Sequence, residues 1–202
     1  MSLNKEEVLR SKILAGADKL FRQYGLSKTT MEDIAKEAGK GKSTLYYYYK
    51  SKEEIFDVIV QAEKNKFFGE VQEAVAKAAT GEQKLRVFTR MRFERLKTMT
   101  NLYNIMVQEA IEAIGAGQPH TIAHYREQYD QKQANILKSI LQFGIITGEF
   151  RVLTESETEM LAFVTIASLN GMEMDLIVHN KLDELLSRID FFQDLLFNGI
   201  RK

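Results

Sequence analysis

Apolar positions recur along this chain at spacings of three and four residues, and no stretch alternates with polar ones long enough to specify a strand. Leu9, Ile13, Ala17, Leu20, Phe21 and Tyr24 make the first stripe, which predicts a helix over roughly residues 5–24 that Gly25 ends. Met31, Ile34, Ala35 and Ala38 repeat at i, i+3, i+4 and i+7, with Glu32, Lys36 and Glu37 on the wet side of a short second helix. Thr30 opens it as an N-cap that accepts from the third helical amide, while Asp33 reaches back. Gly39 closes it, because glycine takes the left-handed conformation without a Cβ clash. In a short third helix Leu45 and Tyr49 lie four apart and face inward. That turns Lys42, Ser43, Thr44, Tyr47 and Tyr48 outward and leaves Tyr46 near the border.

The rest of the chain reads as helix too. Ser51 with Glu54 caps a fourth helix from 52 to about 79, expected to run as a single rod until Thr80-Gly81 breaks it. A fifth carries Leu85, Phe88, Met91, Arg92 and Leu96, and a sixth Tyr103, Met106, Val107, Ala110, Ile111 and Ile114. Gly115 to Pro119 is the clearest linker and holds the only proline. A seventh helix, with Ile122, Tyr125, Tyr129, Ile136, Leu137, Ile140 and Leu141 along one side, ends at Gly148. Thr154 with Glu157 caps an eighth, which from Met160 to Val178 is apolar around much of its circumference, as a helix covered on two sides would be. A ninth presents Leu185, Leu186, Ile189, Phe192, Leu195 and Leu196, flanked by Phe191 and Phe197. The fold class expected is all-α.

Chemistry concentrates between residues 30 and 52. Two short helices joined by a glycine turn, the second carrying small polar groups, then four tyrosines, then a lysine, suit insertion of one helix into a DNA major groove. Four successive tyrosines cannot all be buried on one side, so some rings and hydroxyls face outward, where they can touch phosphates and thymine methyls. Lys52 stands at the fourth helix's N-terminus, where free amides and the positive dipole end favour an anion. It is expected as a phosphate clamp.

Residues 10–60, through Ile13-Leu-Ala-Gly-Ala-Asp-Lys-Leu-Phe21, Tyr24-Gly25, Thr29-Thr30-Met31-Glu-Asp-Ile-Ala35, Lys42-Ser-Thr-Leu-Tyr-Tyr47 and Lys50-Ser-Lys-Glu-Glu-Ile-Phe56, resemble the DNA-binding domain of TetR (tetracycline-repressor-like) transcriptional regulators. The resemblance implies that Thr30 is a phosphate-contacting cap. It also implies that Lys42, Ser43, Thr44 and Tyr46 belong to the recognition helix, and that Tyr47 and Lys52 meet the DNA backbone. Where the family often has His then Phe, this chain has Tyr48 and Tyr49, and the Tyr49 hydroxyl must find a partner or reach solvent. The expected organisation is a helix-turn-helix DNA-binding domain over residues 1–52 and a helical effector-binding and dimerisation domain over 53–202.

Charge fits that division. The net charge is zero over 202 residues, but residues 1–52 hold 11 Lys and Arg against 6 Asp and Glu, a basic head on an acidic body. There is no cysteine, which removes disulfides and thiolate metal sites. No apolar run is read as approaching the ~20 residues that span a bilayer, and no membrane partner or secretion signal is expected; the location expected is cytoplasmic.

In the body, Phe67, Phe88, Met91, Tyr103, Met106, Tyr125, Phe143 and Phe163 are candidate ligand-lining residues, with Phe68, Phe93 and Met172 beside them. Taken singly, such residues are more often plain core. The resemblance raises their weight, because family bodies commonly hold a small-molecule effector. Arg92, Asn170 and Glu173 are the polar candidates. The last two helices carry more apolar surface than one bundle covers, so they are expected to form a two-fold homodimer interface, burial within the monomer being the alternative. His120 and His124, with Glu127 a turn further, have metal-ligand spacing at an exposed helix start; no functional metal and no cofactor are expected. No nucleophile stands with a base and an orienting group, so an enzyme is not expected. The reading is a sequence-specific regulator of double-stranded operator DNA, a dimeric repressor released by a small molecule. The rival is a helical small-molecule carrier or enzyme with a vestigial DNA-binding head.

Overall fold

The computed structural model describes residues 5–115 and 119–202, with side chains described outside residues 100, 101, 103 and 106–128. Among these residues the elements are α1 (Lys5–Tyr24), α2 (Met31–Glu37), α3 (Lys42–Tyr48), α4 (Lys52–Lys77), α5 (Gly81–Gly115), α6 (Pro119–Ile146), α7 (Glu155–Val178), α8 (Leu182–Ser187) and α9 (Ile189–Asn198). They divide into two compact units. The first runs to Lys66 and takes in Asn101–Met106; the second comprises Phe67–Thr100 and Val107–Lys202.

In the first unit the predicted stripes meet in one small core. Ile13, Ala17 and Phe21 of α1, Met31, Ile34 and Ala35 of α2, Leu45 and Tyr49 at α3, and Ile55 and Phe56 of α4 are all buried. Phe21 meets Phe56 edge to face, with ring centroids 5.6 Å apart. Tyr24, assigned to the stripe, instead lies outward, since at the last residue of α1 no further turn covers it. Gly25 and Gly39 take φ of +83° and +66°, the left-handed stops their positions required.

The second unit corrects two boundaries. The expected fifth and sixth helices are one, α5. The polar run Lys97–Asn101 has no glycine or proline, and low helix propensity alone does not interrupt a helix. The expected ninth helix is two, because at Arg188 the N–H bonds back three residues to the Leu185 carbonyl and the chain turns there. A third correction concerns α7. By length and composition this helix is apolar enough to cross a bilayer, contrary to the reading of the apolar runs. Its Asn170 and Glu173 are nevertheless buried against side chains of the second unit.

The end of α6 and the start of α5 touch through glycines. A Cβ on Gly81 would come within 2.9 Å of the Gly144 Cα, and the Phe150 ring fills the space beside Gly144. Glu149 then caps α5 from a distance, accepting from the Gly81 and Glu82 amides at 2.9 and 3.2 Å. The Gly81 N–H foremost, helped by the Thr147 hydroxyl, holds the Glu149 carboxyl below the usual carboxylate range. Its contribution is therefore present at neutral pH and lost as pH falls through that lowered value.

Candidate nucleic-acid interface

The α2–α3 pair is set by its caps and its buried faces. The Thr30 hydroxyl accepts from the Asp33 amide at 3.2 Å, and the Asp33 carboxylate accepts from the Thr30 amide at 3.0 Å, closing the capping box. The Thr30 hydroxyl, which donates to Asp33 Oδ2 at 2.6 Å, and after it the Thr30 amide, hold the Asp33 carboxyl below its ordinary range. Leu45 and Tyr49 anchor α3 inward, fully and almost fully buried. Burial pushes the Tyr49 phenol up, against the pull of the Arg10 guanidinium, so the hydroxyl that departs from the family pattern faces a cation.

The opposite side of α3 carries the candidates. Lys42, Ser43 and Tyr46 are exposed, Thr44 is half-buried, and Tyr47 stands 81% exposed. Such exposure of a large ring costs hydrophobic free energy that only a partner recovers. Tyr48 is less free: its ring meets Tyr47 edge to face at 5.1 Å and lies under the Arg10 guanidinium. Lys42 has an exposed ionic neighbour, Glu32, at 3.6 Å, a weak pair that phosphate can displace.

Lys52 departs from expectation. Its ammonium donates to the backbone carbonyls of Leu26, Ser27 and Thr29 at 2.8, 3.2 and 3.1 Å. An ammonium has three donors and no acceptor, so all three are spent on the loop between α1 and α2. The residue fastens that loop to α4 instead of offering a free cation. Lys52→Met is expected to lower the stability of the chain by about 1–3 kcal/mol, measured by urea denaturation, and to leave the salt dependence of DNA binding unchanged. A flattened salt dependence with unchanged stability would return Lys52 to the phosphate role.

In the second unit the ligand candidates scatter. Phe67 and Phe88 are buried and Met91 half-buried. Phe143 lies beneath the Lys84 ammonium, 4.6 Å from its ring centre, in an open cleft of about 410 Å³ that Val75, Ile136 and Ile140 also line. Phe163 is contradicted as a lining residue: it is 68% exposed, on the outer face of α7 with Met160 and Val164. Tyr103, Met106 and Tyr125, and the His120, His124 and Glu127 set, lie outside the described side chains. Among the described residues no cluster of His, Cys, Asp and Glu has metal-holding geometry.

Arg92, Asn170 and Glu173 do come together. Arg92 donates through Nε to Glu173 Oε1 at 2.8 Å and through Nη2 to Asn170 Oδ1 at 2.9 Å, and Asn170 Nδ2 donates to Asp130 Oδ1 at 3.0 Å. Asp130 and its neighbour one turn on, Gln133, were missed by the sequence reading. The available signal was a polar residue at i−3 from Ile136, on the apolar stripe of α6.

These features define a two-unit helical protein whose first unit is a helix-turn-helix head. Residues 13–59 match the family model of bacterial regulatory proteins, tetR family. The chain is 22% identical to the HTH-type transcriptional regulator QacR of Staphylococcus aureus, over 96% of its own length and 99% of that protein's. Its fold matches the crystal structure of a transcriptional regulator from Cytophaga hutchinsonii, with a TM-score of 0.78 and 25% identity, covering 94% of this chain and 97% of that one. It also matches the SmeT–triclosan complex, with a TM-score of 0.72 and 18% identity, over 96% and 92% of the two chains. SmeT is the repressor of a Stenotrophomonas maltophilia multidrug efflux pump. Residues 13–59 are thus a DNA-binding domain of the kind that family model describes, and the chain is a DNA-binding transcriptional regulator.

Proposed function

We propose that the chain is a repressor that binds a pseudo-palindromic operator as a homodimer and releases it when a small molecule occupies the second unit. The observation that carries the DNA half is the outward face of α3, where Lys42, Ser43, Tyr46 and Tyr47 stand together beyond a buried Leu45 and Tyr49. Tyr47 and Thr30 meet phosphates, which fix the register, and Lys42, Ser43, Thr44 and Tyr46 read base edges. Support for a second copy comes from the exposed apolar side chains of α7 and α9, Met160, Phe163, Val164, Val178, Phe191 and Leu195. An uncovered apolar surface of this kind is ordinarily an interface, and a two-fold pair presents two recognition helices to half-sites ~34–36 Å apart. The effector acts by population shift, binding more tightly to a dimer whose helices no longer match that spacing. Support for a small molecule comes from the likeness in fold to SmeT, which holds triclosan.

The test is a gel shift at graded salt on the DNA upstream of the chain's own gene. A complex of two chains per site is expected, its affinity falling steeply as salt rises. Tyr47→Ala should weaken binding on the order of tenfold on all sequences alike. Absence of any sequence-preferring binding at low salt would overturn the reading and favour a helical carrier or enzyme with a vestigial head.

A further inference from the structure

The buried polar groups of the described residues are partnered almost everywhere. Thr29 donates to the Gly25 carbonyl, Lys84 to the Val75 carbonyl, and Gln193 bridges the Thr89 hydroxyl and the Arg86 carbonyl. The exceptions come from two residues. Arg92 Nη1 and both polar atoms of the Gln133 amide are buried with no hydrogen-bond partner among the described residues. Their residues are 3% and 1% exposed. Gln133 follows Asp130 by one turn on α6, and Asp130 is joined through Asn170 to Arg92, so Gln133 stands on the side of α6 that carries this network across α5, α6 and α7. Native proteins leave few such groups unpaired, and those they leave are held for a partner or a solvent molecule.

We propose that these unpaired atoms receive the polar group of the effector, and that the effector is an uncharged, largely apolar molecule carrying an oxygen that accepts and a hydroxyl or amide that donates. This rests on the reading of the second unit as the effector domain. The atoms left over dictate the class. Arg92 Nη1 and Gln133 Nε2 need an acceptor, and Gln133 Oε1 needs a donor. The charge of Arg92 is already matched by Glu173, 2.6 Å away, and Asp130 adds a further carboxylate. An anionic ligand would add a like charge beside two carboxylates. A cation would face the guanidinium, a like charge, and could reach only the Gln133 Oε1 among the unpaired atoms. A neutral oxygen meets neither penalty. About one helical turn from Arg92, Gln133 and Asn170 stand Phe88, Leu96, Ile136, Leu137 and Ile166, all buried and apolar, which suits an apolar body.

The experiment uses the full chain and three probes with one ring system: 2-naphthol, 2-naphthoate and a naphthyl trimethylammonium. Binding is followed by calorimetry and by the thermal midpoint. Wild type should bind 2-naphthol in preference to the two ions, and Gln133→Leu should bind it about tenfold more weakly. Without any probe, Gln133→Leu should melt higher by roughly 2–4 °C, because an unpaired buried amide is replaced by an apolar group of similar size. A structural amide would instead lower the midpoint on replacement and leave binding unchanged, which overturns the proposal. Preference for either ion, or no binding of 2-naphthol in the millimolar range, overturns the ligand class. Release of DNA is scored separately: binding that depends on Gln133 without release keeps the site and removes only the effector reading.

Discussion

Replacing Arg92 with methionine alone is expected to lower the unfolding free energy by about 3–5 kcal/mol, the cost of leaving one member of a buried ion pair uncompensated. The geometry makes this site severe. Arg92 is nearly inaccessible, and its Nη2 lies 2.6 Å from Glu173 Oε1. Removing it takes the guanidinium away from that buried carboxylate and also deprives Asn170 Oδ1 of its donor. Replacing Arg92 by methionine and Glu173 by leucine together should restore most of the loss, because desolvation then falls on neither charge. Urea denaturation of the two single variants and the double variant measures the coupling. If the single substitution cost less than about 1 kcal/mol, water would be reaching the pair and the buried network would not hold α5 to α7.

Gly144→Ala should cost about 3 kcal/mol, at the upper end for overpacking a core. A Cβ there would lie 2.2 to 2.6 Å from three atoms of the Phe150 ring, distances that no relaxation of a few tenths of an ångström relieves. The ring has little room to move. Phe150 is 1% exposed and packs on Phe197 at 5.9 Å between centroids, and the backbone beside it is tied down where Arg151 donates to the Ile200 carbonyl. Phe150→Leu in the same chain should recover part of the loss, since a smaller side chain vacates the space. Thermal melting reads the result. A Gly144→Ala midpoint within about 1 °C of wild type would mean that α6 slides freely past the Phe150 ring.

Much of the head was legible because its signals are local. Thr30 and Asp33 stand three residues apart, Gly25 and Gly39 sit where the helical pattern stops, and Leu45 and Tyr49 lie one turn apart. Capping, left-handed stops and inward anchors depend only on neighbours within a turn or two. The helix ends in the body were harder to place. Nothing within one turn distinguishes the polar run before Leu102, where α5 continues, from Arg188, where the chain bends. The candidate ligand residues show the same limit. Phe88 and Phe163 are both aromatic residues on apolar stripes, yet one is buried and the other faces outward, because periodicity marks a face of a helix and not what lies against it.

Composition, spacing and capping residues by themselves determined that this chain is all helix, that its N-terminal part is a basic helix-turn-helix head, and which side of α3 faces outward. Tertiary structure alone decided that Lys52 turns its ammonium onto the α1–α2 loop, that Glu149 caps a helix 68 residues earlier, and that Arg92 and Gln133 keep buried polar atoms without a partner. The physical reason is range. A cap or a helical stripe is written in adjacent residues, whereas a donor's partner, and the absence of one, depend on which distant segments the folded chain brings within hydrogen-bond distance.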